Sequence, residues 1–116
     1  MKLQFMYLPT QDLAASLALY RDTLGLDEAW REGEDTVALA LPGSDVALMI
    51  DAAPMPDWGP GPIFIVDDAS AFHAQHDGAY DLTVPPFEIP GGQMSMFKDA
   101  GGNPVYVMDQ SREAVG

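Results

Sequence analysis

Two stretches, Val46-Ala47-Leu48-Met49-Ile50-Asp51 and Val105-Tyr106-Val107-Met108-Asp109, share one pattern, and both end on aspartate. Those aspartates lie 58 positions apart, half the length of the 116-residue chain. Asp12 and Asp68 each stand at the head of a helical stretch and lie 56 apart. A repeat of this period predicts two modules of the same order rather than an irregular fold.

The first module opens with a strand from Leu3 to Leu8, ended by Pro9. Thr10 and Asp12 are candidate N-caps. Leu13, Leu17, Tyr20 and Leu24 then recur at helical spacing, and Gly25 fits the position after a helix end. Strands follow over Leu26 to Glu32, Thr36 to Leu41 and Val46 to Ile50. The last is apolar on both faces and reads as a central strand. Asp51 to Pro60 holds three prolines and is a loop. The second module repeats the order. Pro62 to Val66 is a strand, and a short helix runs to about Asp77 with Ala69, Phe72 and His76 on one stripe. Leu82 to Ile89 is a strand that Pro85-Pro86 confines to an edge or a bulge. Gln93 to Lys98 and Pro104 to Asp109 complete it.

The expected fold class is α+β: two βαβββ modules forming a cupped, mixed but mostly antiparallel sheet. Module one spans 1–53, a linker 54–60, module two 61–110 and a loose tail 111–116, within a single domain 1–116. One helix covers only one face of a four-stranded sheet. The other face must be buried against a sheet of the same chain or of a partner chain.

Composition narrows the function. Eighteen acidic residues against five basic ones give a net charge of −13. Too few cations are present to neutralise a phosphate backbone, so a nucleic-acid partner is excluded, and an anionic membrane surface is disfavoured. The charge serves solubility or draws in a cationic ligand. There is no cysteine, hence no disulfide, thiolate metal site or cysteine nucleophile. No apolar run reaches the length of a membrane span, and the N-terminus lacks a signal-peptide pattern. A cytoplasmic protein is the expectation.

Three motifs carry a family resemblance. Asp12-Leu13, Ser16, Tyr20 and Leu24-Gly25-Leu26 resemble the opening "DLxxSxxFYxxxLGL" of the vicinal oxygen chelate superfamily, which holds glyoxalase I, extradiol dioxygenases and bleomycin-resistance proteins. Phe97-Lys98-Asp99-Ala100-Gly101-Gly102-Asn103-Pro104 resembles the family's "xxDPDGNxxxL" turn between strands, and Ile63 to Asp68 resembles the strand that opens its second module. The resemblance implies sheets curled around a cavity and, at this length, a homodimer. It also implies that a divalent ion would be held from positions that here carry Phe5, Leu48, Gly61 or Pro62, and Tyr106. The apolar ones offer no lone pair, and neutral tyrosine is a poor ligand. A slip of one residue offers only Gln4 and Met49.

What the resemblance then implies is a metal-free, cofactor-free protein that binds a small molecule, such as a cationic antibiotic, in the manner of the bleomycin-resistance-like members, with no catalytic residue. Phe5, Leu48 and Tyr106 would face the cavity, and period two adds Leu3, Tyr7, Val46, Ile50 and Met108. The same residues would equally serve as a packed core. Two alternatives stand beside this one. The first is a metal-dependent lyase, isomerase or dioxygenase with relocated ligands drawn from Glu28, Glu32, Glu88, the aspartates and the histidines. The second is a non-catalytic accessory subunit with a filled cavity.

Single residues add detail. Trp58, in a Pro/Gly-rich loop beside Asp57, can stack on a flat or cationic ligand or close over the core. Trp30, between Glu28 and Glu32, suits a cavity rim or an interface. Asp51, Asp57 and Asp109 either hold a basic ligand or are solvated strand ends. His73 and His76 form an i, i+3 pair suited to a surface metal, but without a third ligand. Met94 and Met96 share a strand face and read as core.

Overall fold

The two helices start in the same way, as the repeat requires. In the computed structural model, which describes residues 1–111, Asp12 is the extended N-cap of α1 (Leu13–Leu17), and its carboxylate accepts the Ala15 N–H at 3.0 Å. Asp68 is the extended N-cap of α2 (Ala69–Gln75) and accepts the Ala71 N–H at 2.9 Å. Each cap satisfies one of the orphan donors of a first helical turn.

The strands are β1 (Lys2–Pro9), β2 (Asp27–Glu32), β3 (Thr36–Ala40), β4 (Ala47–Asp51), β5 (Gly61–Val66), β6 (Leu82–Ile89), β7 (Gly92–Lys98) and β8 (Pro104–Asp109). The chain falls into two compact units. One is Gln4–Pro60; the other is Gly61 onward with Met1–Leu3. The first unit orders its strands β2-β3-β4-β1 and the second β5-β8-β7-β6. β1 runs parallel to β4 and β5 parallel to β8, while the other pairs are antiparallel. The fold is therefore α+β with two βαβββ modules and mostly antiparallel pairing. The expected tail runs from Ser111, and 112–116 lie outside the described residues. No helix among the described residues is long and apolar enough to cross a membrane.

In the first unit, α1 covers one sheet face. Leu17, Val37, Leu39 and Ile50 are buried there, with Leu8, Leu13, Tyr20, Leu26 and Leu48 packed on them. Each large apolar side chain so buried contributes about 1.5–3 kcal/mol. Leu24 departs from the expected stripe and is 59% exposed. The reason is local. Ala18–Thr23 is π-helical, and the Leu24 N–H donates to the Leu19 carbonyl, five residues back. The wider turn carries Leu24 off the 3.6-residue stripe, and Leu26 packs on the core in its place. Gly25 takes the left-handed cap position (φ 81°), its N–H donating to the Arg21 carbonyl.

The two modules repeat with a slip. In β5 and β8, Ile63 pairs with Tyr106 and Phe64 with Val107. Val107 pairs with Ser95, which touches His73 of α2, so Val107 lies on the helix side. Its counterpart at an offset of 58 is Met49, which pairs with Tyr7 on the side away from α1. Equivalent faces of β4 and β8 therefore stand an odd number of residues apart, and an even offset exchanges the faces. β6 lies at the sheet edge of the second unit, with register shifts on both sides of Val84, where Pro85-Pro86 interrupts the ladder.

Candidate functional site

The helix-free face of the first module gathers the aromatic residues. Along β1, Phe5 and Tyr7 pair with Ala47 and Met49, while Met6 and Leu8 pair with Leu48 and Ile50 on the α1 side. On β2, Glu28 pairs with Leu39 but Trp30 with Ala38, so Ala29 is the extra residue of a bulge. The bulge reverses the alternation. It sets Trp30 on the Phe5 face and Arg31 on the Glu28 face, where Arg31 Nη2 binds Glu28 Oε1 at 2.7 Å. The Trp30 ring meets Phe5 edge-on, with centroids 5.8 Å apart.

Trp58 reaches the same face through its turn. The Trp58 N–H donates to the Met55 carbonyl at 3.1 Å, Pro56 holds the first corner, and Asp57 takes the second at φ 69°. This is the geometry of a type II turn, whose second corner favours glycine or asparagine. The Trp58 ring then sits edge-on to Tyr7 at 5.7 Å. The Tyr7 hydroxyl donates to Asp51 Oδ2, and Asp51 Oδ1 accepts the Thr36 hydroxyl at 3.3 Å and the Ala53 N–H at 2.9 Å. Phe5, Tyr7, Trp30, Asp51 and Trp58 are thus brought together as two aromatic pairs and one carboxylate. Phe5 and Tyr7 are buried; Trp30 is 39% exposed.

Two expected members belong elsewhere. Leu48 and Ile50 point to α1 and pack in its core. The family's motif spacing put Leu48 at a cavity position and period two added Ile50, but the register of β4 on β1 sets that parity toward α1. Met49 occupies the aromatic face in their stead, and Thr36 joins it through Asp51. In the second module, Tyr106 and Met108 lie on the face away from α2, paired with Met96 and Met94, and all four are buried. Asp109 does not stand free for a basic ligand. It is 1% exposed, and its carboxylate accepts the N–H groups of Ala69 (2.6 Å), Gln93 (2.8 Å) and Ser111 (3.2 Å) and the Ser111 hydroxyl (2.9 Å). Burial pushes its pKa up, but these donors outweigh it and hold it below the usual carboxylate value.

The positions that the resemblance assigns to a metal do not fit one. Phe5 and Tyr106 lie on helix-free faces, but phenylalanine offers no donor and neutral tyrosine a poor one; Leu48 lies on the helix side. Gly61 has no room for a side chain: a Cβ there would stand 2.3 Å from the Pro104 carbonyl oxygen. Among the described residues, no three His, Asp or Glu side chains converge. The histidine pair also points apart. His73 spends both ring nitrogens on Tyr80 and Ser95, and His76 Nδ1 meets the Phe72 carbonyl at 2.7 Å. A separate open cleft of about 520 Å³ lies beside α2, lined by Lys2, Ile65, Asp67, Phe72, Gln75 and His76 among others. No sequence motif marked it.

Comparisons with known proteins agree with this architecture. The family model described as Glyoxalase/Bleomycin resistance protein/Dioxygenase superfamily matches residues 2–107. No curated protein matches the sequence. Among solved structures, the chain resembles a methylmalonyl-CoA epimerase from Mycobacterium tuberculosis at a TM-score of 0.68 and 21% identity, covering 93% of this chain and 87% of that one. It resembles a protein described as an NAD-dependent benzaldehyde dehydrogenase from Legionella pneumophila at a TM-score of 0.77 and 15% identity, covering 91% and 97%. A glyoxalase/bleomycin resistance protein/dioxygenase superfamily member from Vibrio splendidus 12B01 gives 0.63 and 17%, covering 90% and 95%. At these identities the structural likeness is one of fold alone.

Proposed function

Because the chain belongs to the Glyoxalase/Bleomycin resistance protein/Dioxygenase superfamily, we propose that it binds a small, partly planar, cationic molecule without a metal, as bleomycin-resistance-like members do. The observation that carries this reading is the pair of edge-on aromatic contacts, Phe5–Trp30 and Tyr7–Trp58, on the face that α1 leaves open, with Asp51 beside them. A flat cation gains from the face of a tryptophan and from a nearby carboxylate. The net charge of −13 favours its approach. Tyr106 and Met108 remain in the proposal as the apolar lining of the second module, and a homodimer as its assembly. An enzymatic alternative needs convergent metal donors, which the described residues do not supply.

The test is a fluorescence titration with bleomycin and with simpler aromatic cations, on the wild type and on Trp30→Phe and Trp58→Phe. Saturable quenching at micromolar ligand, reduced in both variants, is expected; no quenching by any such cation overturns the reading. The burial of Phe5 and Tyr7, 7% and 1% exposed, favours a second reading, in which the aromatic rings fill their own face in a non-catalytic accessory subunit. That reading gains if both variants fold with no ligand response and lower stability.

A further inference from the structure

Each helix buries one side chain fully, Leu17 in α1 and Ala69 in α2, and α2 adds side-chain hydrogen bonds to its sheet. A helix of seven residues is not stable alone, so its attachments decide whether it stays docked. Three of them are polar. The Ala69 N–H donates to Asp109 Oδ2 at 2.6 Å, Ser70 Oγ meets Gln93 Oε1 at 3.0 Å, and His73 Nε2 meets Ser95 Oγ at 2.6 Å. His73 Nδ1 also meets the Tyr80 hydroxyl at 2.6 Å, and the Tyr80 ring stacks on Phe97 with centroids 3.9 Å apart. His73 therefore joins α2, β7 and the turn before β6.

The proton inventory gives this hub a preferred charge. Ser95 is fully buried, and its hydroxyl reaches the Val107 carbonyl at 3.4 Å. The neutral ring donates through one nitrogen and accepts through the other, so one of the two hydroxyls, Ser95 or Tyr80, points its proton at the ring. A second ring proton would face that hydroxyl, which would have to reverse. Around the ring stand Phe72 and His76, Tyr80 from the turn, and Ser95 and Phe97 from β7; Gln93 bonds Ser70 and Val107 bonds Ser95. Glu88 of β6 pairs with Gln93, and the Asp109 carboxylate is committed to Ala69, Gln93 and Ser111. The charge that bears on the ring is that of His76, of like sign.

We propose that His73 is an acid-sensitive latch: neutral, it fastens α2 to β7; on protonation, α2 loosens from its sheet while the first module is unaffected. Burial first, and His76 second, hold the His73 pKa below that of free imidazole, as this requires. The sign follows from linkage. A lowered folded pKa means that the docked state is favoured above about pH 6.5 and loses ground as pH falls below it. If docked His73 stays neutral, the docking equilibrium falls by up to about thirtyfold at about pH 5.

Hydrogen exchange at the amides of Phe72 to Gln75, corrected for intrinsic rates, tests this between about pH 7 and about pH 5. Protection should fall several-fold or more in α2 but not in β1, β3 or β4. In His73→Gln, which keeps a donor toward Ser95 but does not titrate, the step should vanish. Unchanged α2 protection in the wild type, or the same step in His73→Gln, overturns the proposal. If that variant does not fold, imidazole NMR on the wild type decides: titration below free imidazole supports the latch, and titration at or above it refutes the latch.

Discussion

Gly61→Ala is the sharpest test of the reading that Gly61, which the resemblance offers beside Pro62 as a metal position, has no room for a ligand side chain. An ideal Cβ at Gly61 would lie 2.3 Å from the Pro104 carbonyl oxygen and 3.2 Å from its carbon, whereas real Cβ contacts stay beyond 3.0 Å. The obstacle is backbone, so no rotamer relieves it. β5 and β8, which are paired from Ile63 and Tyr106 onward, would have to part by about 0.7 Å at this end. A hydrogen bond stretched that far is lost, at about 1 kcal/mol each. Overpacking a tight site costs about 1–3 kcal/mol. Against this, alanine recovers about 0.4–1 kcal/mol by restricting the unfolded chain. The net expectation is destabilisation of about 1–3 kcal/mol, read by urea unfolding as a lower midpoint at constant slope. Gly61→His should destabilise at least as much and retain no zinc. A Gly61→Ala protein within about 0.5 kcal/mol of wild type would refute the close approach and, with it, the argument that no ligand fits there.

Two further outcomes follow from the aspartates that end β4 and β8. Tyr7→Phe removes the hydroxyl that donates to Asp51 and should cost about 1.5–3 kcal/mol in urea unfolding; a loss under about 0.5 kcal/mol would sink that account. Asp109 has its pKa held below the ordinary carboxylate value by N–H and O–H donors that outweigh burial. Its contribution is therefore present above about pH 4 and is lost as pH falls through the lowered folded value. Asp109→Asn should cost about 2–4 kcal/mol near neutral pH and flatten the acid limb of the stability curve; an unchanged limb would show that another group controls it.

The helix starts at Asp12 and Asp68, the glycine cap at Gly25, the proline-interrupted edge strand and the βαβββ order were legible in the sequence. Each rests on a local rule: a side chain bonding its own backbone, a left-handed residue, a missing N–H. The four aromatic residues of the candidate site, Phe5, Tyr7, Trp30 and Trp58, and the Asp51 carboxylate beside them were also named as candidates from the sequence. Their neighbours were not. Leu48 and Ile50 look no different from Met49 in a strand that is apolar on both faces, so the pattern holds no information about which parity meets the helix. The bulge at Ala29 and the π-helical stretch at Ala18–Thr23 insert fractions of a period that residue types do not announce.

The second helix marks the boundary between the two kinds of information. Its sequence stripe of Ala69, Phe72 and His76 predicts an apolar face, yet the side chains that tie it to its sheet include Ser70 and His73. A buried serine, a strand-end carboxylate and a tyrosine seven residues further along the chain complete those bonds. The sequence by itself determined where elements begin and end, because caps and turns are satisfied within a few residues. Only the tertiary structure decided which faces meet and which imidazole is half-buried. Hydrogen bonds such as His73–Ser95 and Tyr7–Asp51 join groups 22 and 44 positions apart, beyond the reach of any local rule.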